Sequence, residues 1–429
     1  MERRALERPD LLVIGFDPMA FDLAMGAAAL GARVVFAGAG DDAVSQSIRD
    51  GLLIEQLAAG LKQPGRAAFE SLRREMVASI RTTLNPARIA AARASVVEGP
   101  VRFISRQELE AGDRRFRPRR LVLARGRAMP DMPAGLVDLL GDGVIPQRVI
   151  LAGRGALLVT LAHLLIMAGS KVSVVAEEAL LGDFDPDGAR LMQEHLERAG
   201  VSFLPERPAV RSADWPLWVI EPLRPHLGGL ALESAGFREP SDPSSVADRH
   251  LRLKGFPASL LGSILEPECG AGACPGMVGY LLAQLLFRKG GTFRASPVPR
   301  AVGVVPHLCE IGQSEAGALT RHGQNIRILR MHAREAGFAG AEGVDFLKLV
   351  TTRRGALLGA SAFGPAAREQ MALLSLAIDQ QVPVSRLAEI PALPLSTAAL
   401  LRATAAMHAR EQLRSPNLQR LVRWLRLLG

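Results

Sequence analysis

The residues whose types and spacing could do chemistry are a pair of glycines and a pair of cysteines. Gly153 and Gly155 form a Gly-x-Gly turn inside the stretch PQRVILAGRGALLVTLAHLLIMAGSKVSVVAEE, residues 146–178. A turn of that kind brings backbone amides close to a pyrophosphate, at the positive end of the helix that follows. Cys269 and Cys274, in ECGAGACPG, stand Cys-x-x-x-x-Cys in a glycine-rich loop. Two thiols so spaced suit disulfide exchange, provided one is a thiolate. The plainer reading is two small residues in the loop of a cytosolic protein. With no histidine in that loop the pair is too small for structural zinc, and no metal is expected. Cys309 falls in an apolar strand pattern and reads as core.

The elements that must position the glycine turn are legible around it. An apolar run at Val149–Ala152 precedes it, an apolar helical segment reaches Ala168, and a second apolar run, Val172–Val175, ends in acid. This is a βαβ nucleotide-binding unit. Glu177 or Glu178 is placed to hold an adenosine ribose, which favours NADH over NADPH. The third glycine, which lets the helix pack closely on the strand, is replaced by Leu158. The same plan recurs in DLLVIGFDPMAFDLAMGAAALGARVVFAG, residues 10–38, where only Gly15 survives of the glycine motif. Asp17 and Ala20 stand at the second and third glycine places, and Asp17 brings negative charge and bulk to the point of closest approach to a phosphate. The acid due at the end of the next strand is Ala37 or Gly38. Two nucleotide-binding frames are therefore expected, both eroded, the first more severely.

Composition narrows the classes. The chain has 429 residues, 48% of them hydrophobic, enough for two to four domains with sizeable cores. The formal charge is +9, but only five of the 52 basic residues are lysine and the arginines are scattered. The one dense cluster, RRFRPRR at residues 114–120, lies between apolar runs and reads as a solvated turn rather than a nucleic-acid surface. Aromatic residues are 4%, too few for a row of base-stacking platforms. No apolar run approaches the roughly 18 uncharged residues of a membrane span, and MERRALERPD runs straight into a strand. A soluble, cytoplasmic protein is the expectation, with neither nucleic acid nor a membrane span.

Along the chain, a helical pattern from Leu52 to Ala94 is broken at Pro64–Gly65 and Asn85–Pro86. Short strands follow between Ser95 and Ala124, then a linker at Gly141–Pro146. A helix is expected from Asp187 to Gly200, then a strand at Val201–Leu204. Farther on come a hairpin around Arg354–Gly355, a helix over Ala366–Gln380 and another over Thr397–Ala406. Asp183, Asp185 and Asp187 alternate like a calcium loop but lack the trailing glutamate, so a helix N-cap is the better reading. His163 falls mid-helix on an apolar segment and reads as core. His307, His322 and His332 share no metal-ligand spacing, and Trp215 and Trp218 read as packing.

Taken in order, these segments resemble the pyridine nucleotide-disulfide oxidoreductase family, the flavoproteins that include dihydrolipoamide dehydrogenase, glutathione reductase and mercuric reductase. The first βαβ resembles the family's FAD unit. The segment VRFISRQELEAGDRRFRPRRLVLARG resembles its small meander, with Ala124-Arg125-Gly126 at the Ala-Thr-Gly turn. LLGSILEPECGAGACPGMVGYLLAQLL resembles the second FAD contact, and GVDFLKLVTTRRGALLGASAFGPAAREQMALLSLAI the dimerisation domain. The resemblance implies an α/β fold of two Rossmann-like domains, FAD-type and NAD(P)-type, plus a C-terminal α+β dimerisation domain. The FAD-type domain would take residues 1–143 and 250–300, a shortened NAD(P)-type domain 144–249, and the dimerisation domain 301–429. It implies contacts to FAD from Gly15, Gly126, Gly262 and Ser263, to NAD(H) from Gly153, Gly155 and Glu177, and a homodimer.

The sequence departs from that family where the chemistry would be done. The redox cysteines should fall near Asp41–Arg49, but DDAVSQSIR has none, and a serine hydroxyl cannot replace a thiolate. The His–Glu acid–base pair should fall within Ile390–Ala399, where Pro391 and Ala398 stand. The flavin-contacting Gly-Asp is Gly262–Ser263, a smaller neutral donor. Asp50 replaces the lysine beside the flavin ring, and Ile220-Glu221-Pro222 the second Ala-Thr-Gly turn. The expected function is a degenerate disulfide-reductase homologue, non-catalytic or altered, serving for binding of a protein partner or as a scaffold. Two alternatives stand beside it: an FAD- and NAD(P)H-dependent oxidoreductase that acts without a disulfide, and a nucleotide-sensing module built on the second βαβ.

Overall fold

The computed structural model describes residues 5–15, 17–38, 43–129, 132–141, 143–176, 179–206, 215–221, 224–225, 227–238, 247–265, 276–293, 297–335, 337, 345–413 and 416–426. Glu177, Glu178, Cys269 and Cys274 lie outside the described residues. The chain divides into two compact units, one of residues 1–153, 160–175 and 203–295, the other of 154–159, 176–202 and 296–429.

The first unit is built on the strand Leu11–Ile14, whose four residues are all fully buried. A run buried on both faces belongs at the centre of a parallel sheet, and this strand pairs in parallel with Val34–Ala37 on one side and Leu121–Leu123 on the other. Ser95–Val97 extends the sheet beyond the first neighbour and Ser259–Leu260 beyond the second. The first nucleotide-binding frame is thus completed by a strand that returns from far along the chain. Helix Pro18–Ala29 packs on helix Gly276–Phe287 at Gly26, where a Cβ would lie 3.1 Å from Leu282. Val101–Phe103, Leu109–Ala111 and Arg114–Phe116 form the antiparallel meander, with Leu6–Glu7 added in parallel at its edge.

Here the arginine cluster departs from expectation, because its first residues are strand rather than turn. Glu7 meets Arg114 at 2.6 Å, Glu110 meets Arg115 at 2.9 Å, and Asp10 meets Arg119 at 3.3 Å. The tight turn lies earlier, at Gly112, φ +55°, as the Ala111-Gly112-Asp113 pattern suggests. The helical stretch breaks where expected, giving Ala43–Gly60, Arg66–Thr83 and Pro86–Ala91, with Asn85 capping the last.

The second βαβ supplies a four-stranded sheet, in the order Ser202–Phe203, Lys171–Ala176, Arg148–Gly153, Leu217–Ile220. Trp218 is buried beneath Gly135, and Trp215 takes the Arg148 guanidinium on its ring face at 5.3 Å, so both tryptophans pack.

The second unit carries a five-stranded antiparallel sheet in the order Arg300–Ala301, His307–Gly312, Leu357–Gly364, Phe346–Thr352, Ile326–His332. Helices Ala367–Asp379 and Thr397–Leu413 cover it through a core that includes Leu347, Leu349, Met371, Leu374 and Leu401. Thr397–Leu413 outruns the expected end at Ala406, since nothing from Met407 to Leu413 breaks a helix. The hairpin turns at Gly355, φ +89°, as anticipated. No helix among the described residues is long and apolar enough to cross a membrane.

Candidate functional site

The glycine turn of the first βαβ carries a buried carboxylate at the start of its helix. Gly15 ends the central strand at φ +136°, and a Cβ there would lie 2.0 Å from the Ala124 carbonyl oxygen, so no other residue fits. The next element is helix Pro18–Ala29, with Pro18 in its first turn and Asp17 as N-cap. The Asp17 carboxylate accepts from the Met19 backbone N–H at 3.0 Å, one of the amides orphaned at the helix start. Its other oxygen accepts from the Ser263 N–H at 3.0 Å and the Ser263 hydroxyl at 2.9 Å. Asp17 is fully buried. Burial pushes its carboxyl above the usual range, despite the three bonds that favour the anion. Gly262, at φ +85°, is required beside it, for a Cβ there would sit 2.5 Å from the Asp17 Cγ. Gly15, Gly262 and Ser263 therefore do come together, around a carboxylate. Gly126 follows a buried Ala124 and Arg125 at φ +68°, and Asp50 is buried in helix Ala43–Gly60.

The second turn is differently arranged. Gly153 and Gly155 have φ of +137° and +93°, and no atom stands within 4 Å of where a Gly155 Cβ would be. The Gly155 N–H donates to the Leu180 carbonyl at 2.8 Å. Leu158, at the third glycine place, is fully buried in helix Ala156–Met167. His163 of the same helix is buried too. Cys309 lies in the antiparallel sheet, 1% exposed, with its thiol pushed up to about 12 by burial, which leaves it unreactive.

The clustering of charges around a fully buried lysine is not legible in the sequence pattern. Asp185 is the N-cap of helix Pro186–Ala199, accepting from the Asp187 N–H at 3.1 Å, as its spacing suggests. Its carboxylate also takes both contacts of the fully buried Lys348 ammonium, at 2.7 and 2.8 Å. Lys348 reaches Asp187 at 2.5 Å and Glu315 at 3.1 Å as well. Arg330 closes the cluster on Asp187 and Glu315. Burial alone would lower the Lys348 pKa, but its bonds to Asp185 and Asp187 outweigh that and hold it above the ordinary lysine value. Burial raises Asp187 and Glu315, and the same ammonium holds both below the usual carboxylate range. Three carboxylates within 4.8 Å of one another resemble a metal cage, yet the cation among them is the protein's own. A signal was present: one of five lysines in an arginine-rich chain stands inside the apolar run FLKLV.

Two parallel nucleotide-binding sheets, the first closed by a returning strand, and a five-stranded antiparallel sheet backed by helices define the architecture of the flavoprotein disulfide reductases. The family model described as pyridine nucleotide-disulphide oxidoreductase matches residues 148–213. The HOCl-induced flavoprotein disulfide reductase RclA from Escherichia coli aligns at TM-score 0.74 and 19% identity, over 92% of this chain and 99% of its own. A cysteine-to-serine mutant of that reductase, as a Cu(II) complex, aligns at TM-score 0.77 and 19% identity over 93% and 99%. The Cu(II) complex of RclA itself gives 0.74 and 19% over 94% and 99%. At that identity the likeness is one of fold. The shared fold extends over nine-tenths of this chain, and the family model covers its second nucleotide-binding frame.

Proposed function

We propose that this protein is a member of the pyridine nucleotide-disulphide oxidoreductase family which has given up disulfide reduction and serves as a binding or scaffold protein. The observation that carries the reading is Asp17. At the helix N-terminus, where FAD would lay its pyrophosphate, the chain's own buried carboxylate already accepts from Met19 and Ser263. A phosphate brought there meets a like charge in a dry place, with the local donors already used. The residues present do not fit FAD in the family manner. The absence of cysteine from Asp41–Arg49 and of acid or base from Ile390–Ala399 points the same way.

The domain boundaries follow the same reading: 1–143 with 250–300, 144–249, and 301–429. A homodimer through the last of these is supported by Leu373 and Leu376, 40% and 59% exposed on helix Ala367–Asp379, and by Leu393, 79% exposed. The family match over residues 148–213 favours one second reading, a nucleotide sensor in which Gly153, Gly155 and Glu177 hold NADH. Cys269 and Cys274 remain a candidate redox pair, tested by replacing both with serine and following reactivity to thiol reagents and electron acceptors.

The deciding experiment is the absorbance of the purified protein, followed by thermal unfolding with FAD and with NADH. A colourless protein whose midpoint ignores FAD is expected. NADH at a hundredfold excess over its Kd would stabilise by about 2.7 kcal/mol if the sensor reading holds. Yellow protein that oxidises NADH at an enzymatic rate would overturn the proposal in favour of a flavin oxidoreductase working without a disulfide.

A further inference from the structure

Helix Pro416–Leu425, PNLQRLVRWL, exposes the apolar residues of its last two turns. Leu421, Val422, Trp424 and Leu425 are 47–57% exposed. At about 100° per residue, Leu421, Val422 and Leu425 share an arc of roughly 100°. Trp424 lies at one edge of that arc, and Arg420, Arg423 and Arg426 take the rest of the circumference. All seven residues from 420 to 426 are exposed, so both faces are available to something outside the chain.

We propose that this helix lies in the plane of an anionic lipid surface, apolar face down, and tethers the protein to it. Charge decides the occupant. Residues 412–429 carry four arginines and no acid, so a second copy of the helix would offer these cations no partner, whereas anionic headgroups offer a continuous one. A cationic polar face opposite leucine and tryptophan is the composition that binds membrane interfaces. Trp424, between the apolar arc and Arg420, is where an amphipathic ring sits at headgroup depth. Ten residues of helix extend about 15 Å, too short to span a bilayer and suited to lying on one.

The test is co-sedimentation of the full chain with vesicles of phosphatidylcholine alone or mixed equally with phosphatidylglycerol. Binding to the mixed vesicles is expected, at least about tenfold weaker to the neutral ones, since each arginine near an anionic surface contributes roughly fivefold. It should fall away at about half-molar salt. Leu421→Asp with Leu425→Asp, and separately Arg420→Glu with Arg423→Glu, should each lose at least about tenfold of that binding. The far-ultraviolet dichroism should not change, because all four side chains are exposed. Equal binding to both vesicle types, or binding that survives the paired substitutions, overturns the proposal. So does wild-type protein that ignores both vesicles, including the case in which the Leu421→Asp and Leu425→Asp pair converts a dimer to a monomer, which would assign the face to a second copy.

Discussion

Two aspartates in this molecule occupy the same local station and are answered in opposite ways. Asp17 and Asp185 each precede a proline, each cap the helix that proline begins, and each accept from the backbone N–H two residues on. Both are buried. Asp185 faces an ammonium held within 2.8 Å, backed by one further cation, Arg330, and two further carboxylates. Among the described residues Asp17 meets, besides the Met19 N–H, a hydroxyl and an amide from Ser263. A buried carboxylate with a salt-bridge partner is a structural node, and its removal is a packing and charge event. One satisfied by dipoles alone is arranged as a bound anion would be, with N–H and O–H groups pointing at it and no counter-charge. The helix start of the first frame is thus occupied by a carboxylate of the chain itself, which those dipoles hold and which burial makes easier to protonate than usual.

The largest expected effect breaks the ion-paired side of this comparison. Lys348→Met removes the cation shared by Asp185, Asp187 and Glu315 and leaves the buried Asp185 carboxylate without it, beside two carboxylates that are about a third exposed, a change of about 3–5 kcal/mol. Urea unfolding should show it as a lowered midpoint. If the second unit's carboxylates are instead well served by Arg330 and water, the loss will stay under about 1 kcal/mol, and the contrast with Asp17 collapses.

The glycine turns sharpen the same contrast from the backbone side. Gly15→Ala meets the Ala124 carbonyl at 2.0 Å and must hold a positive φ, so overpacking and backbone strain together are expected to cost about 3 kcal/mol. Gly155→Ala meets nothing within 4 Å and carries only the strain of its φ, about 1–2 kcal/mol. Thermal unfolding of the two variants should rank them in that order. Equal losses would mean that the first turn is no more tightly built than the second.

Much of this is legible in the sequence. The two βαβ frames announce themselves because buried parallel strands are uninterrupted apolar runs, and the hairpin at Gly355 because a positive φ asks for glycine. The caps at Asn85 and Asp185 follow from an Asx–Pro pair ahead of a helical pattern. What could not be read is what closes on these elements from afar. Asp17 looks like a lost glycine, a purely negative feature, until Ser263, 246 residues away, is seen to bind it. Lys348 and Asp185 are 163 residues apart, and no local rule pairs them. The arginine cluster misled for the same reason, since Glu7 and Asp10, more than a hundred residues earlier, turn a string of cations into a paired strand.

The smallest expected effect concerns the charge of Asp17. Asn and Asp cap helices about equally well, so Asp17→Asn keeps the bond from Met19 and removes the ionisation, while turning an amide NH2, which cannot accept, towards the Ser263 N–H. Burial raises the folded-state pKa of Asp17 above its unfolded value. The folded state therefore holds its proton more tightly than the unfolded chain, and the resulting stability is fully present below the unfolded pKa and lost as pH rises through the folded one. Below that window wild type should be the more stable by about 1 kcal/mol, because the Ser263 N–H loses its acceptor in the variant. Across the window the asparagine variant should gain on wild type, and above it the difference should stay constant. Denaturant midpoints measured from acid to neutral pH would show this as two curves that are not parallel. Curves that run parallel, or a wild type that gains on the variant towards neutral pH, would mean that the anion is favoured where it lies, and that some positive group answers Asp17 as Lys348 answers Asp185.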